Sequence, residues 1–254
     1  MILRLTEKCS MGCSHCLNSC TPEGGHMPLD TLNDALEFLI DNGATSSVIV
    51  TGGEPTEHPE FTECMKMIIE KLSRAHKFSG ITITSNGFWC LDHPEEAKKI
   101  AIETPHTFVQ WQISTDKRYY PKELPVHEKL WEEPRFVLCE DCVISMYPQG
   151  RALENGYPWS YKSSKCYNVR ALAKQLPNPT VRAIVEDLLR FGKSCTPAIN
   201  IDGSISLGES THCPKMASIY DKPSDIVHKI KDFHCHQCDF INENLPWFYR
   251  RFVD

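Results

Sequence analysis

No stretch of this 254-residue chain approaches the roughly 18 consecutive apolar residues that a membrane-crossing helix needs, and residues 1–20 lack the apolar core of a secretory signal peptide. A cytoplasmic location without a membrane partner is the expectation. Lysine and arginine form no long run, and the net charge is −6. Neutralising a phosphate backbone is therefore not its main task, and duplex nucleic acid is not an expected partner. A disulfide framework is disfavoured on similar grounds: the cysteine count is 13, an odd number, and a reducing compartment keeps thiols free. Metal ligation explains so many cysteines better. What the chain does have is 41% hydrophobic content, enough to bury a sizeable core as one domain plus an appendage.

The most informative feature lies near the start. Cys9, Cys13 and Cys16 are spaced C-x3-C-x2-C directly after the strand-like residues Ile2, Leu3 and Leu5. A short loop after a strand lets three thiolates converge, and soft sulfur ligands suit an iron-sulfur cluster or zinc. On this motif alone a zinc knuckle stays open. Three ligands on a cubane would leave one iron uncapped for a small molecule.

Strand-like and helix-like patterns alternate along the first half, which reads as a parallel α/β sheet. Residues 2–6, 48–50, 81–84, 108–113 and 136–145 are expected strands. Helices are expected over 28–42, where Leu29, Leu32, Leu36, Leu39 and Ile40 recur at helical spacing before Gly43, and over 60–77 and 95–103. Ligands of such sheets sit at the carboxyl ends of the strands. Four motifs fall there: Thr51-Gly52-Gly53-Glu54-Pro55, Thr84-Ser85-Asn86-Gly87, Ile113-Ser114-Thr115-Asp116, and Met146-Tyr147-Pro148-Gln149-Gly150-Arg151-Ala152. Two glycines let backbone approach a ligand, and Glu54 offers a carboxylate to an ammonium. Taken singly, each has a plainer reading, as a turn, a helix cap or a solvated cation.

Together, these motifs over residues 1–155 resemble the radical S-adenosylmethionine (radical SAM) superfamily. The resemblance implies a partial (β/α)6 TIM-like barrel with a [4Fe-4S] cluster on Cys9, Cys13 and Cys16. It implies SAM chelated to the open iron, its amino group held by Gly52, Gly53, Glu54 and Pro55. Ser85, Asn86, Ser114 and Asp116 would bind its ribose or carboxylate, His15 would stack on the adenine, and Arg151 would help bind the cofactor. One electron, from a flavodoxin- or ferredoxin-type donor, would cleave SAM to a 5'-deoxyadenosyl radical that abstracts hydrogen from a substrate. Cys20 reads as a spectator thiol or an alternative ligand, and Cys64 and Cys90 as packing residues. Cys139 and Cys142 read as core thiols. Should the product arise by epimerisation, Cys142, Cys166 or Cys20 would return the hydrogen atom.

After residue 155 the α/β rhythm stops. Residues 181–191 are an expected helix, and 199–207 alternate around Asp202-Gly203 as a β-hairpin. Cys195, Cys213, Cys235 and Cys238 surround that hairpin and form a candidate four-thiolate site. This resembles the SPASM or shorter twitch extension of radical SAM peptide modifiers, which houses auxiliary clusters. The pattern departs at Leu207 and Gly208, where a cysteine is usual, so at most one auxiliary [4Fe-4S] cluster is expected; zinc on the same ligands stays open. The expected organisation is a core over 1–155 and an extension over 156–254. The expected function is a radical SAM modifier of a peptide or protein, by crosslinking, oxidation or epimerisation. A small-molecule enzyme, a glycyl-radical activase and a non-catalytic iron-sulfur protein are the alternatives. Because the cysteine loop begins so near Met1, no amino-terminal leader-binding domain is expected, and peptide recognition would need a separate partner or the carboxy-terminal half.

Overall fold

The computed structural model describes residues 1–42, 47–75, 80–102, 108–114, 132–139, 149–157, 197–206, 208 and 210–232. The helix expected over 181–191 lies outside the described residues, as does the strand pattern past residue 139.

Five parallel strands follow one another across the sheet: β1 (Ile2–Thr6), β2 (Ser47–Gly52), β3 (Gly80–Ser85), β4 (Phe108–Ser114) and β5 (Phe136–Cys139). Helices α1 (Leu29–Asn42), α2 (Phe61–Arg74), α3 (Phe88–Asp92) and α4 (Pro94–Ile102) lie between them in the chain. The alternation of sequence patterns predicted this order, and it is the βα repeat of a partial TIM-like barrel. Burial explains the pattern. Leu3, Leu5, Val48, Val50, Ile81, Ile83, Val109, Trp111 and Ile113 pack into one core with Leu32, Leu36 and Leu39 of α1 and Met65, Ile68 and Leu72 of α2. The Trp111 indole N–H donates to the Ala97 carbonyl at 3.0 Å, so this large ring is buried without an orphaned donor.

Strand residues alternate between two faces. Opposite the helix-packed apolar face, the intervening positions include Arg4 on β1, Thr51 on β2, Thr82 and Thr84 on β3, and Gln110, Gln112 and Ser114 on β4. One face of the sheet is thus apolar under helices; the other is the more polar face, although Ile2, Ile49, Phe108 and Val137 also lie on it.

On its other side, β1 pairs in parallel with β6 (Ala198–Ile199), which forms the expected hairpin with β7 (Ser204–Ser206); β7 in turn pairs with β8 (Lys215–Ser218). All eight strands form one sheet, in the order β5-β4-β3-β2-β1-β6-β7-β8. The hairpin therefore continues the core sheet instead of standing apart from it. The short helix α5 (Gly150–Glu154) and helix α6 (Pro223–Asp232) complete the described elements. Among the described residues, no helix is long and apolar enough to cross a membrane. Cys139, read from the sequence as a free core thiol, is disulfide-bonded.

Candidate functional site

Beyond Thr6 the chain leaves the sheet in a loop whose base is stitched shut. Glu7 N–H donates to Gly25 O, Cys9 N–H to Thr21 O and Met27 N–H to Leu5 O, all at 2.8–2.9 Å. Residues 9–20 are consequently a closed loop at the carboxyl edge of β1. Cys9, Cys13 and Cys16 share one apolar patch on it with Met11 and Phe88. Their half-buried setting discourages free thiolates: burial pushes Cys9 up to about 11 and Cys13 up to about 12, although Arg151 draws Cys13 down. Cys16 behaves oppositely: the neighbouring Cys20 thiol draws it down and is itself pushed up in return. Metal loading must therefore expel protons from Cys9 and Cys13.

The Gly-Gly-Glu-Pro turn follows β2 and lies beside this loop. The β1–β2 ladder runs past the strands, with Gly53 N–H donating to Thr6 O at 2.7 Å and Glu54 N–H to Lys8 O at 2.8 Å. A Cβ on Gly52 would overlap the Thr6 carbonyl, and one on Gly53 the Lys8 carbonyl. The sequence suggested that these glycines admit a ligand; the backbone they admit is that of the cysteine loop. Pro55 begins a 3-10 turn, Pro55–Glu57.

Glu54 is 4% exposed, and its carboxylate accepts four hydrogen bonds: from Thr56 N–H and Oγ–H, from Ser85 Oγ–H at 2.8 Å and from Asn86 N–H at 2.7 Å. Burial pushes this carboxyl up and the four donors pull it back, the net direction being upward. It bolts the end of β2 to the end of β3. Ser85 shares the helix-packed face with Ile81 and Ile83, and its hydroxyl both donates to Glu54 and accepts from Gly87 N–H. Asn86 and Gly87 form the turn their sequence suggests: Gly87 has φ +84°, and Asn86 Oδ1 accepts from Phe88 N–H. Ser114 ends β4 on the polar face.

Arg151 extends from α5 to the cysteine loop, donating from Nε to Cys13 O and from Nη1 to Cys20 O, each at 2.9 Å. Asn155 donates to Ser14 O, and Tyr157 pairs with the Ser14 hydroxyl. From the hairpin side, Ser210 Oγ–H donates to Leu17 O and Thr211 N–H to Asn18 Oδ1. The loop is thus clamped from both sides. Replacing Arg151 with Met, which removes two charged donors, should cost about 2 kcal/mol of stability. It should also speed alkylation of Cys13 and Cys20 in metal-free protein several-fold; an unchanged rate would mean the guanidinium does not hold the loop.

Several contributors escaped sequence reading. Glu57 accepts from Ser10 N–H and Oγ–H at 2.8 Å each, joining the turn to the cysteine loop. Asn18 and Thr211 are 193 residues apart, a pairing no local pattern announces. Beside Met11 and Phe88 opens a cavity of about 260 Å³ whose lining includes Ser10, Glu54, Glu57, Asn86 and Asp92. Among its lining residues are three carboxylates and no cationic side chain.

The structure thus brings together Cys9, Cys13, Cys16, Gly52, Gly53, Glu54, Pro55, Ser85, Asn86 and Arg151, with His15 half-buried in the same loop. Cys20 is beside Cys16, and Cys213 lies on the hairpin loop that grips residues 17–18, its sulfur 3.9 Å from Gln149 Oε1. Asp116, Cys142, Cys166, Cys195, Cys235 and Cys238 lie outside the described residues.

Residues 3–119 match the family model described as the radical SAM superfamily. Among curated proteins, the chain is 30% identical over 84 residues to the antilisterial bacteriocin subtilosin biosynthesis protein AlbA of Bacillus subtilis (strain 168), covering 33% of this chain and 17% of AlbA. It is 31% identical over 90 residues to GTP 3',8-cyclase of Pasteurella multocida (strain Pm70), covering 34% of this chain and 25% of the cyclase. The chain therefore matches a quarter or less of these relatives. Two solved structures share its fold. BtrN in complex with AdoMet and 2-DOIA aligns with a TM-score of 0.52 at 15% identity over 91% of this chain and 83% of that one. Streptococcus suis SuiB bound to precursor peptide SuiA aligns with a TM-score of 0.54 at 13% identity over 93% and 69%.

Proposed function

We propose that this chain, which carries a radical SAM domain over residues 3–119, is a radical SAM enzyme whose cluster is held by Cys9, Cys13 and Cys16. One observation carries the reading: the three thiols share one patch at the carboxyl edge of the sheet, on a loop bonded directly to the Gly-Gly-Glu-Pro turn. The donor set fits the cluster, being all sulfur, partly buried and close to a cation that favours thiolates. When bound, a [4Fe-4S] cluster with SAM supplies the one-electron cleavage that yields a 5'-deoxyadenosyl radical. The chain's own residues hold and shield. Glu54, Ser85 and the Asn86 N–H fix the ends of β2 and β3 against each other, so the edges facing SAM keep one spacing. The acid-lined cavity beside Met11 suits a cosubstrate bearing an ammonium and a sulfonium. Ser114 faces the polar side, where with Asp116 it would take ribose or carboxylate contacts, and His15 would lie against the adenine.

The substrate is proposed to be a peptide or protein. Partial identity to a bacteriocin biosynthesis protein and a shared fold with an enzyme crystallised on its precursor peptide support this. A small-molecule substrate is the second reading, favoured by the polar row Thr51, Thr82, Thr84, Gln110 and Gln112 and by the fold shared with BtrN. Cys195, Cys213, Cys235 and Cys238 are proposed to hold one auxiliary [4Fe-4S] cluster or a zinc ion. A flavodoxin- or ferredoxin-type donor is proposed to supply the electron.

The test is anaerobic reconstitution, counting iron, sulfide and zinc per chain, then addition of dithionite and SAM. Formation of 5'-deoxyadenosine is expected, with about four irons for one cluster and about eight for two. No 5'-deoxyadenosine, with SAM leaving the reduced cluster's EPR signal unchanged, would overturn the catalytic reading.

A further inference from the structure

Lys8, Cys9 and Ser10 are each pinned, by different partners. Lys8 O accepts from Glu54 N–H at 2.8 Å, and Cys9 N–H donates to Thr21 O at 2.9 Å. Ser10 is held by a side chain: Glu57 Oε1 accepts from its N–H and Glu57 Oε2 from its Oγ–H, both at 2.8 Å. A carboxylate that takes one donor on each oxygen fixes both the backbone and the side chain of its partner, and charge-assisted bonds of this kind are the stronger ones. Ser10 is exposed. Water would satisfy the same two donors without holding them in place.

Glu57 is itself built in. It ends the 3-10 turn, its N–H donates to Glu54 O at 2.9 Å, and the next residue, His58, is buried with Nε2–H on Met27 O and Nδ1 accepting from Glu60 N–H. The carboxylate is thereby presented from a fixed backbone. The remainder of the cysteine loop is held from the other side. Cys13 O and Cys20 O take the Arg151 donors, Ser14 O takes Asn155, and Leu17 O and Asn18 Oδ1 take Ser210 and Thr211. Met11 and Gly12 join the two parts. Gly12, at φ +66° with nothing within 4 Å of a Cβ, offers no contact that would align them.

We propose that Glu57 is a positioning residue for the proposed cluster: acting through Ser10, it sets where Cys9 stands relative to Cys13 and Cys16. This inference rests on reading the three cysteines as ligands. The first ligand is presented from the side of the Gly-Gly-Glu-Pro turn and the other two from the side of α5 and the hairpin, so the convergence of three sulfurs depends on two separately anchored parts. Glu57 holds the first. Ser10, Met11 and Glu57 also line the cavity beside the cysteine patch, so the clamp is a wall shared by the Cys9 arm and any molecule that fills that cavity.

Geometry and charge can be separated at this position. Glutamine at 57 keeps both bonds, because its amide oxygen accepts from Ser10 N–H and its amide nitrogen donates to Ser10 Oγ, a hydroxyl able to accept. Only the charge is lost. Alanine loses both bonds. The experiment is hydrogen–deuterium exchange on the full, reduced, metal-free chain, resolved by mass spectrometry of overlapping peptides. In Glu57→Ala, the amides of residues 10–12 are expected to exchange about tenfold faster than in wild type. Residues 13–20 and the strands should be unchanged, and Glu57→Gln should match wild type. Ser10→Ala, which removes one of the two bonds, should accelerate the same segment by less. Unchanged exchange at 10–12 in Glu57→Ala, acceleration spread over 13–20 and the strands, or a Glu57→Gln chain as open as the alanine variant would overturn the proposal. Iron per chain is counted separately after reconstitution, where Glu57→Ala should hold less than Glu57→Gln. Failure of the wild type itself to take up iron would sink the cluster reading, while the exchange result would still decide whether Glu57 holds the Cys9 arm.

Discussion

Serine at any one of Cys9, Cys13 or Cys16 is expected to leave less than about 1% of the wild-type yield of 5'-deoxyadenosine, because the hydroxyl is a hard, protonated donor where iron needs a soft thiolate. The fold should survive. These side chains lie on a loop outside the strands, and their patch is separate from the main hydrophobic core. Far-ultraviolet circular dichroism and the melting temperature should therefore change little while iron per chain falls. The three variants should not be equivalent. Cys20 interacts most strongly with Cys16 and more weakly with Cys9. Cys16→Ser should therefore retain more iron than Cys9→Ser or Cys13→Ser, and the excess should vanish in a Cys16→Ser, Cys20→Ser double variant. Wild-type iron and wild-type 5'-deoxyadenosine in any single variant would remove that cysteine from the ligand set.

Strands, helices and site motifs were legible in different degrees, for physical reasons. Strands β1 to β4 and helices α1, α2 and α4 could be read because each puts an apolar face against one core, and that burial imposes a period on the sequence. The cysteine spacing and the Gly-Gly-Glu-Pro turn were legible because their chemistry is local. What those residues do for one another was not. Ser85 reads as a ligand contact, yet its position on the face of Ile81 and Ile83 turns its hydroxyl toward Glu54. Arg151 reads as a cofactor contact, and its donors go to the carbonyls of Cys13 and Cys20. Both are pairings across 31 or more residues, set by how the sheet assembles. Strand β8 and helix α6 escaped for another reason. Lys215-Met216-Ala217-Ser218 is too short to display alternation, while Pro223 at the first helical position is a start signal with no Ser, Thr, Asp or Asn cap directly before it.

Alanine at Gly53 should be among the most damaging single-methyl changes at the described glycines. Gly53 and Glu54 continue the β1–β2 ladder into the cysteine loop through hydrogen bonds of 2.7 and 2.8 Å to Thr6 and Lys8. At that separation nothing fits between the backbones: a Cβ on Gly53 would overlap the Lys8 carbonyl and come within 3.1 Å of Cys9 Cβ. Relief requires the loop to move away, which breaks both hydrogen bonds and displaces Cys9 from its partners. A cost of about 3–5 kcal/mol is expected, lowering the melting temperature by roughly 6–20 °C, since each kcal/mol shifts a chain of this size by about 2–4 °C. Iron uptake should fall with it, because the displaced residue is a proposed ligand. Gly12 supplies the control: it lies in the same loop with φ +66°, but a Cβ there meets nothing within 4 Å. Its alanine variant should lose only the ~1–2 kcal/mol of a left-handed conformation. Equal losses at the two positions would mean that conformational freedom, and not close approach, is what these glycines provide. A large gap would place the junction between the Gly-Gly-Glu-Pro turn and Cys9 among the most tightly fitted points of the molecule, where backbone spacing alone sets the position of a proposed metal ligand.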